Sequence, residues 1–307
     1  FLAMPASIEI LCSDASLRTA LEQWLANLSL SAPPGLVLDV SVTAASLPVL
    51  SEVVFEQPEL RFARGPGGHG LCVVWDVAPA IAEVPGDGAS ASIRLSPAAV
   101  EILDLCTRTF LMAVLIVLLR RVGWYHLHAA TAIDPDDRGW LFAGNAQTGK
   151  STTAALLAAS GWRVGTDDAA FLDRRGDRII VHTCRAPIAL RDGGRQLLAR
   201  AGGVSLPDRG KTGYWPEDLG GVWTPLVDPQ IVIFTTVGNT TTTAQPLDRR
   251  GALAELVRWS AWVMLEPALA QDHLNALTRL TGQARCFRVT LGRDLFSRPN
   301  RLIELVT

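Results

Sequence analysis

Lysine is nearly missing from this 307-residue chain. Of its 28 basic residues only Lys150 and Lys211 are lysines; the rest are arginines. Where almost every surface cation is a guanidinium, a lysine marks a place that a planar fork would overfill, such as a phosphate-lined cradle. Cysteine is also scarce. Cys12, Cys72, Cys106, Cys184 and Cys286 are odd in number and widely spaced, with no Cys-x-x-Cys pair and no His at zinc-ligand spacing, which excludes a disulfide framework and a zinc module and points to a reduced, cytoplasmic setting. There is no excess of positive charge, the formal net charge being −2, so a nucleic-acid partner is disfavoured. Long apolar runs are lacking too. The longest, residues 110–119, ends at Arg120 and Arg121, well short of the roughly 20 residues a membrane span needs, so it reads as a buried helix and no membrane partner is expected. The first residues show no basic stretch ahead of an apolar one, and no export signal is expected. Internal repeats and low-complexity segments are absent apart from residues 239–243, which read as a surface loop.

What is present is enough to fold. Hydrophobic residues make up 49% of the chain and charged residues 19%, with a mean hydropathy of +0.24, which rules out global disorder. The texture divides in two. Residues 1–95 hold short strand-like runs at 7–11 and 36–40, an amphipathic helix at 17–28 and Gly/Pro punctuation at 65–68 and 85–88, and read as a small N-terminal α+β lobe. Residues 96–307 read as a second, α/β domain. Ser96 and Pro97 open a long apolar helix that runs to about residue 122 and closes at Gly123. Strands follow at 124–133 and 140–143 around a turn at 135–139, then a helix at 150–160 and strands at 162–166, 169–172 and 178–183. A strongly apolar strand at 230–234, two helices between 248 and 281 and a last strand at 286–290 complete a mixed sheet with flanking helices.

One loop carries the chemistry. Gly144-Asn145-Ala146-Gln147-Thr148-Gly149-Lys150-Ser151 fits G-x-x-x-x-G-K-[ST], directly after a strand and directly before a helix. Successive backbone N–H groups at this spacing wrap a β-phosphate, and the helix N-terminus, with Thr152 in its first turn, adds partial positive charge. Lys150 is placed to bridge β- and γ-phosphate oxygens and the Ser151 hydroxyl to complete an Mg²⁺ shell. Gln147 stands where such loops often carry glycine to reach a positive φ, so strain in the loop and modest nucleotide affinity are expected there.

Asp167 and Asp168 follow at the end of the next strand. Adjacent residues there point to opposite faces, so one carboxylate can meet a metal ion while the other faces whatever approaches the γ-phosphate. His126 and His128 share a face of the strand 124–133, whose hairpin partner feeds the loop, and His128 becomes a candidate to orient the catalytic carboxylate. His69, His182 and His273 have no such context.

The combination of His128-Ala129-Ala130, residues 144–151, Gly161 and Asp167-Asp168 resembles the HPr kinase/phosphorylase family and its shorter relatives, well over about residues 110–195 and only in outline beyond. The resemblance implies an α/β fold whose P-loop core, with a mixed sheet, is of the HPr kinase and phosphoenolpyruvate carboxykinase type. It implies an ATP- and Mg²⁺-dependent serine kinase in which Lys150 binds phosphate, Ser151 and Asp167 serve the metal, Asp168 takes the hydroxyl proton and His128 is its neighbour. Residues 184–191 resemble a Pro-Ile-x-Leu stretch of the shorter relatives, and Lys211 with Pro216 a Lys-x-x-x-x-Pro motif, which offers Arg191 or Lys211 to substrate or phosphate. A further Mg²⁺-binding glutamate and the basic HPr-docking region of the full-length enzymes have no match here, so HPr is not the expected substrate. A serine on a peptide or protein is, and a lasso-peptide precursor fits the short relatives. Because members of the family often form rings, a homo-oligomer is expected. The alternatives are a small-molecule, carboxykinase-like kinase and a degenerate nucleotide-binding regulator. A GTPase is disfavoured because no Asn-Lys-x-Asp base-reading motif exists.

Overall fold

Alternating apolar residues in Ile8–Cys12 (β1) and Leu36–Val42 (β2) bury one face of each strand, as period-2 side-chain direction requires. The computed structural model describes residues 8–30, 35–44, 52–65, 70–86, 88–191, 204–206, 210–238 and 240–306. It divides into two compact units, residues 1–124 and 125–307.

In the first unit, helix α1 (Ala15–Leu28) follows β1. Asp14 caps it by accepting from the Ser16 and Leu17 amides, and Leu17, Leu21, Leu25 and Leu28 form its buried stripe. Five further strands complete a seven-stranded sheet: β3 (Val53–Gln57), β4 (Leu60–Arg64), β5 (Leu71–Trp75), β6 (Ala80–Val84) and β7 (Ser90–Leu95), in the order β1-β2-β7-β6-β5-β4-β3. These five were not foreseen. Strand β5 is buried at every position, so it lacks the alternation by which a half-exposed strand is recognised. Residues 66–69, His69 among them, and Asp87 lie outside the described residues.

The single helix expected from Ser96 to Val122 is broken. Ser96 does cap it, accepting from the Ala99 amide, but α2 (Pro97–Glu101) ends at Ile102. A short α3 (Leu103–Cys106), a π-helical turn (Thr107–Leu111) and α4 (Met112–Arg121) follow. The Asp104 carbonyl accepts from both the Thr107 hydroxyl and Arg108 Nε, side-chain bonds that compete with the regular ladder. These helices fall in the first unit, although the sequence reading assigned residues from 96 onward to the second.

The second unit is built on β8 (Trp124–Ile133) and β9 (Gly139–Ala143), an antiparallel hairpin. Its turn is organised by Asp134, whose buried carboxylate accepts from the Asp136 and Arg138 amides, Arg138 Nε and Trp140 Nε1. Helix α5 (Lys150–Ala159) leads to β10 (Arg163–Val164), β11 (Ala169–Arg175) and β12 (Arg178–Thr183). Strand β10 has only two of the five residues expected, because the chain turns at Thr166, whose Oγ accepts from the Asp168 and Ala169 amides. A separate three-stranded sheet joins β13 (Ile188–Leu190), β14 (Val204–Leu206) and β15 (Lys211–Tyr214) in the order β13-β15-β14.

The chain then returns through β16 (Val222–Trp223), β17 (Leu226–Val227), β18 (Pro229–Val237) and β19 (Thr243–Leu247). Helices α6 (Arg249–Arg258) and α7 (Pro267–Gln283), strand β20 (Arg285–Leu291) and helix α8 (Arg301–Val306) complete it, so 286–290 is not the last element. The main sheet runs β17-β12-β11-β8-β9-β18-β20-β19, with β10 paired to β8 and β16 to β10. Trp140 and Phe142 pack with α5 on one face, Leu141 and Ala143 with α6 and α7 on the other. Helix α5 is buried from Thr153 to Ala158; its alanines allow close packing. Strands β9 and β18 are parallel, and a ligand in such a sheet lies beyond the carboxyl ends of its strands, where the glycine loop begins. Among the described residues no helix is long and apolar enough to cross a membrane. All five cysteines are free and buried.

Candidate active site

The loop between β9 and α5 is shaped by three residues with positive φ: Gly144 at 153°, Gln147 at 66° and Gly149 at 93°. Only the first and last are glycines, and both need to be. A Cβ on Gly149 would stand 2.7 Å from Leu291 Cδ1, and one on Gly144 2.9 Å from Thr148 Oγ1. Gln147 takes the left-handed conformation foreseen for its position, at an expense of about 1–2 kcal/mol. Thr148 ties the loop down: its hydroxyl donates to the Asn145 carbonyl at 2.9 Å and lies 2.9 Å from that of Thr235 on β18. Asn145, Ala146 and Gln147 are exposed, and no side chain caps α5, which leaves its first-turn N–H groups, in Lys150, Ser151 and Thr152, for a ligand.

Lys150 is buried and curls back under the loop, Nζ donating to the carbonyls of Gly144 at 2.8 Å and Asn145 at 2.7 Å. Burial pushes its pKa down to about 8. Asp168 and Asp167 resist that shift, and Lys211 adds to it. Both of the chain's lysines therefore act on one small region.

Strand β8 positions the two carboxylates. The Thr131 amide donates to the Thr166 carbonyl at 2.8 Å and the Ala129 amide to the Asp168 carbonyl at 3.2 Å, while Thr131 Oγ1 accepts from the Thr166 amide. Gly165 is required beneath them, since a Cβ there would lie 2.5 Å from both Thr131 Oγ1 and Thr183 Cγ2. Asp167 turns inward. Its carboxylate accepts from the Ser151 hydroxyl and, at 3.1 Å, from the Ala189 amide on β13. Burial and the Asp168 charge raise its pKa; Ser151, Ala189 and Lys211 oppose the rise. Asp168 turns outward, half-exposed, with Oδ1 2.6 Å from His128 Nδ1. His126 lies deeper, edge-on to Phe171 and Trp262.

The structure thus groups Lys150, Ser151, Asp167, Asp168 and His128 at the end of the loop. Lys211 joins them through its charge, whereas Arg191 is exposed just past the end of β13. His182 and His273 lie elsewhere, His182 bonded to Asp173 and His273 stacked on Tyr125. Thr235 and the Ala189 amide were not anticipated. A backbone donor has no sequence signature, and a threonine within an apolar strand reads only as β-propensity.

A Ser hydroxyl paired with an Asp carboxylate is an oxygen donor set suited to Mg²⁺, an ion usually held by one or two protein oxygens together with phosphate oxygens and water. No cluster of three or more His, Cys, Asp or Glu able to hold a metal exists among the described residues.

No family model and no curated protein matches the sequence. Among solved structures the chain is similar to the Hpr(Ser) kinase/phosphatase from Coxiella burnetii, with 12% identity, a TM-score of 0.32 and coverage of 58% of this chain and 93% of that one. A likeness at that score decides nothing about the site, whose chemistry rests on its own geometry.

Proposed function

We propose that this protein is an ATP- and Mg²⁺-dependent kinase that transfers the γ-phosphoryl group to a serine hydroxyl of a peptide or protein. The observation that carries the reading is the joint presence, at one loop end, of a buried lysine under a glycine-shaped anion cradle, a Ser151–Asp167 oxygen pair and an outward Asp168 held by His128.

The loop amides and the uncapped start of α5 bind the phosphate oxygens. Lys150 exchanges its two carbonyl partners for phosphate. Ser151 and Asp167 would hold Mg²⁺, which when bound neutralises phosphate charge. His128 donates Nδ1–H to Asp168 and fixes the direction of its carboxylate. Asp168 then accepts the proton from the serine Oγ–H as the Oγ–P bond forms and the bond from phosphorus to the β,γ-bridging oxygen breaks, giving phosphoserine and ADP. The motif likeness of residues 128–168 to short HPr-kinase relatives makes a ribosomally made peptide such as a lasso-peptide precursor the acceptor of choice and suggests a homo-oligomer, while the few, widely spaced cysteines suggest a reduced, cytoplasmic setting.

Incubation with γ-labelled ATP, Mg²⁺ and serine-bearing peptides tests this. Label should appear on peptide serine, and Lys150→Ala should remove it. ATP binding without transfer to any peptide or small-molecule hydroxyl would instead indicate a nucleotide-binding regulator; transfer to a small molecule alone would indicate a carboxykinase-like enzyme.

A further inference from the structure

Strands β9, β18 and β20 run parallel and side by side, so their carboxyl ends form one rim, and the glycine loop rises from the first of them. Side chains two residues apart on β18 share a face. On one face Ile231 and Ile233 pack into the cluster beneath α5, and Thr235 reaches Thr148 of the loop. Val237, last in this row, comes up against Gly149: a Cβ on that glycine would stand 3.4 Å from Val237 Cγ2 and 2.7 Å from Leu291 Cδ1. Val237 and Leu291 are register partners. Leu291 is buried, whereas Val237 is 63% exposed. An apolar ledge, open to water, therefore borders the loop on its β18–β20 side.

A single exposed valine is ordinary on a protein surface. The other face of the same strand ends gives this one meaning. There the preceding rung joins Thr236 to Thr290, whose exposed hydroxyls lie 3.3 Å apart. The rim is thus polar on the face away from the loop and apolar on the face beside it, which is the reverse of what an anion cradle alone would ask of its neighbours.

The direction of a bound triphosphate decides what can lie on this ledge. Strand β8 holds Asp168 and His128, and β8 and β18 flank β9 on opposite sides. A phosphate chain that lies in the loop with its γ end at Asp168 therefore points its other end away from β8, across the rim towards β18 and β20. Ribose and phosphates are polar, but a base presents a flat face that gains by leaving water. We infer that Val237 is the contact surface for the base of the bound nucleotide, with Leu291 backing it from beneath. This rests on the kinase reading, which supplies the direction of the chain, and adds a nucleobase subsite to it.

The test separates the base from the phosphates. Affinities for ATP and for inorganic tripolyphosphate, which carries the phosphates and no base, are measured with Mg²⁺ by isothermal titration on the full chain for wild type, Val237→Ala, Val237→Trp and Lys150→Ala, with melting temperatures as a check on folding. Val237→Ala should weaken ATP by about three- to fivefold through lost apolar contact and leave tripolyphosphate within about twofold. Val237→Trp should tighten ATP by about fivefold or more, as a ring stacking on a base does, again without effect on tripolyphosphate. Its added tryptophan should show a fluorescence change with ATP, beyond that of wild type, that tripolyphosphate does not produce. Lys150→Ala should weaken both ligands. ATP affinity unchanged in both Val237 variants, or equal shifts for ATP and tripolyphosphate, overturns the subsite while leaving the kinase reading intact. Failure of the wild type to bind either ligand overturns both. Should Val237→Trp misfold, the ratio of the two affinities in Val237→Ala decides the matter: a wild-type ratio refutes the contact.

Discussion

Two histidine–carboxylate pairs lie on neighbouring strands of the main sheet, and they differ in almost everything but composition. His128 of β8 meets Asp168 at 2.6 Å with both side chains substantially exposed. His182 of β12 meets Asp173 of β11 at 3.0 Å, with its side chain only 3% exposed, and Arg175 bonds to both members. Burial lowers the His182 pKa and Arg175 pushes the same way, against Asp173. The second pair is closed off by its arginine and has no glycine loop beside it. The first opens outward next to Lys150. A proton-transfer role follows from access and neighbours, and the identity of the two residues alone does not confer it.

The comparison breaks most sharply at the carboxylates. Asp168→Asn should lower kcat by about 10²–10⁴-fold with ATP affinity and melting temperature nearly unchanged, whereas Asp173→Asn should leave kcat within about twofold and destabilise the fold by about 1–3 kcal/mol through its unsatisfied partners. Steady-state kinetics and thermal unfolding on both variants decide it; loss of activity in both, or in neither, would erase the distinction. At the histidines the same contrast is smaller. His128→Ala should reduce kcat by about tenfold, and His182→Ala should act on stability alone.

The deeper His126 sharpens the contrast through pH. Burial holds its pKa down to about 4, with Asp168 pulling it up and His128 pushing it down. Since the unfolded chain binds that proton more readily, the stability from keeping the ring neutral is complete above pH 6.5 and is lost as the pH falls from there towards 4. Denaturant titrations should therefore show an acid-side loss in this window that is reduced in His126→Phe. The smallest effect belongs to the loop. Gln147→Gly removes a left-handed φ worth about 1 kcal/mol and adds chain entropy to the unfolded state, so a change in nucleotide affinity of about fivefold or less is expected, readable by isothermal titration, with no change in the behaviour of either His–Asp pair.

Much of this contrast was legible before any coordinates. The residues 144–151 and their place between a strand and a helix, the adjacent carboxylates at 167–168 and the shared face of His126 and His128 are all local patterns, and local patterns are what spacing records. The hairpin of β8 and β9 was legible for the same reason. The rest depends on contacts between distant segments. That Asp167 would find an amide on β13 and that Thr148 would find Thr235 are consequences of sheet order and register. The broken helix between Pro97 and Arg121 escaped notice because its apolar content is continuous; the breaks lie at Ile102, whose backbone is non-helical, and around the carbonyl of Asp104, shared between Thr107 and Arg108. In the first unit, β5 offers no alternation because both its faces are covered.

The bond from Ala189 to Asp167 has a use of its own. Ala189 contributes a single methyl group and takes no part in any step, yet its amide proton rests on the carboxylate at the heart of the cluster. A perturbation of that carboxylate will change the electron density pulling on this proton. The nitrogen–proton resonance of one inert alanine is therefore a built-in gauge of what the loop is holding, and it can be followed by titration without touching any residue that performs the chemistry.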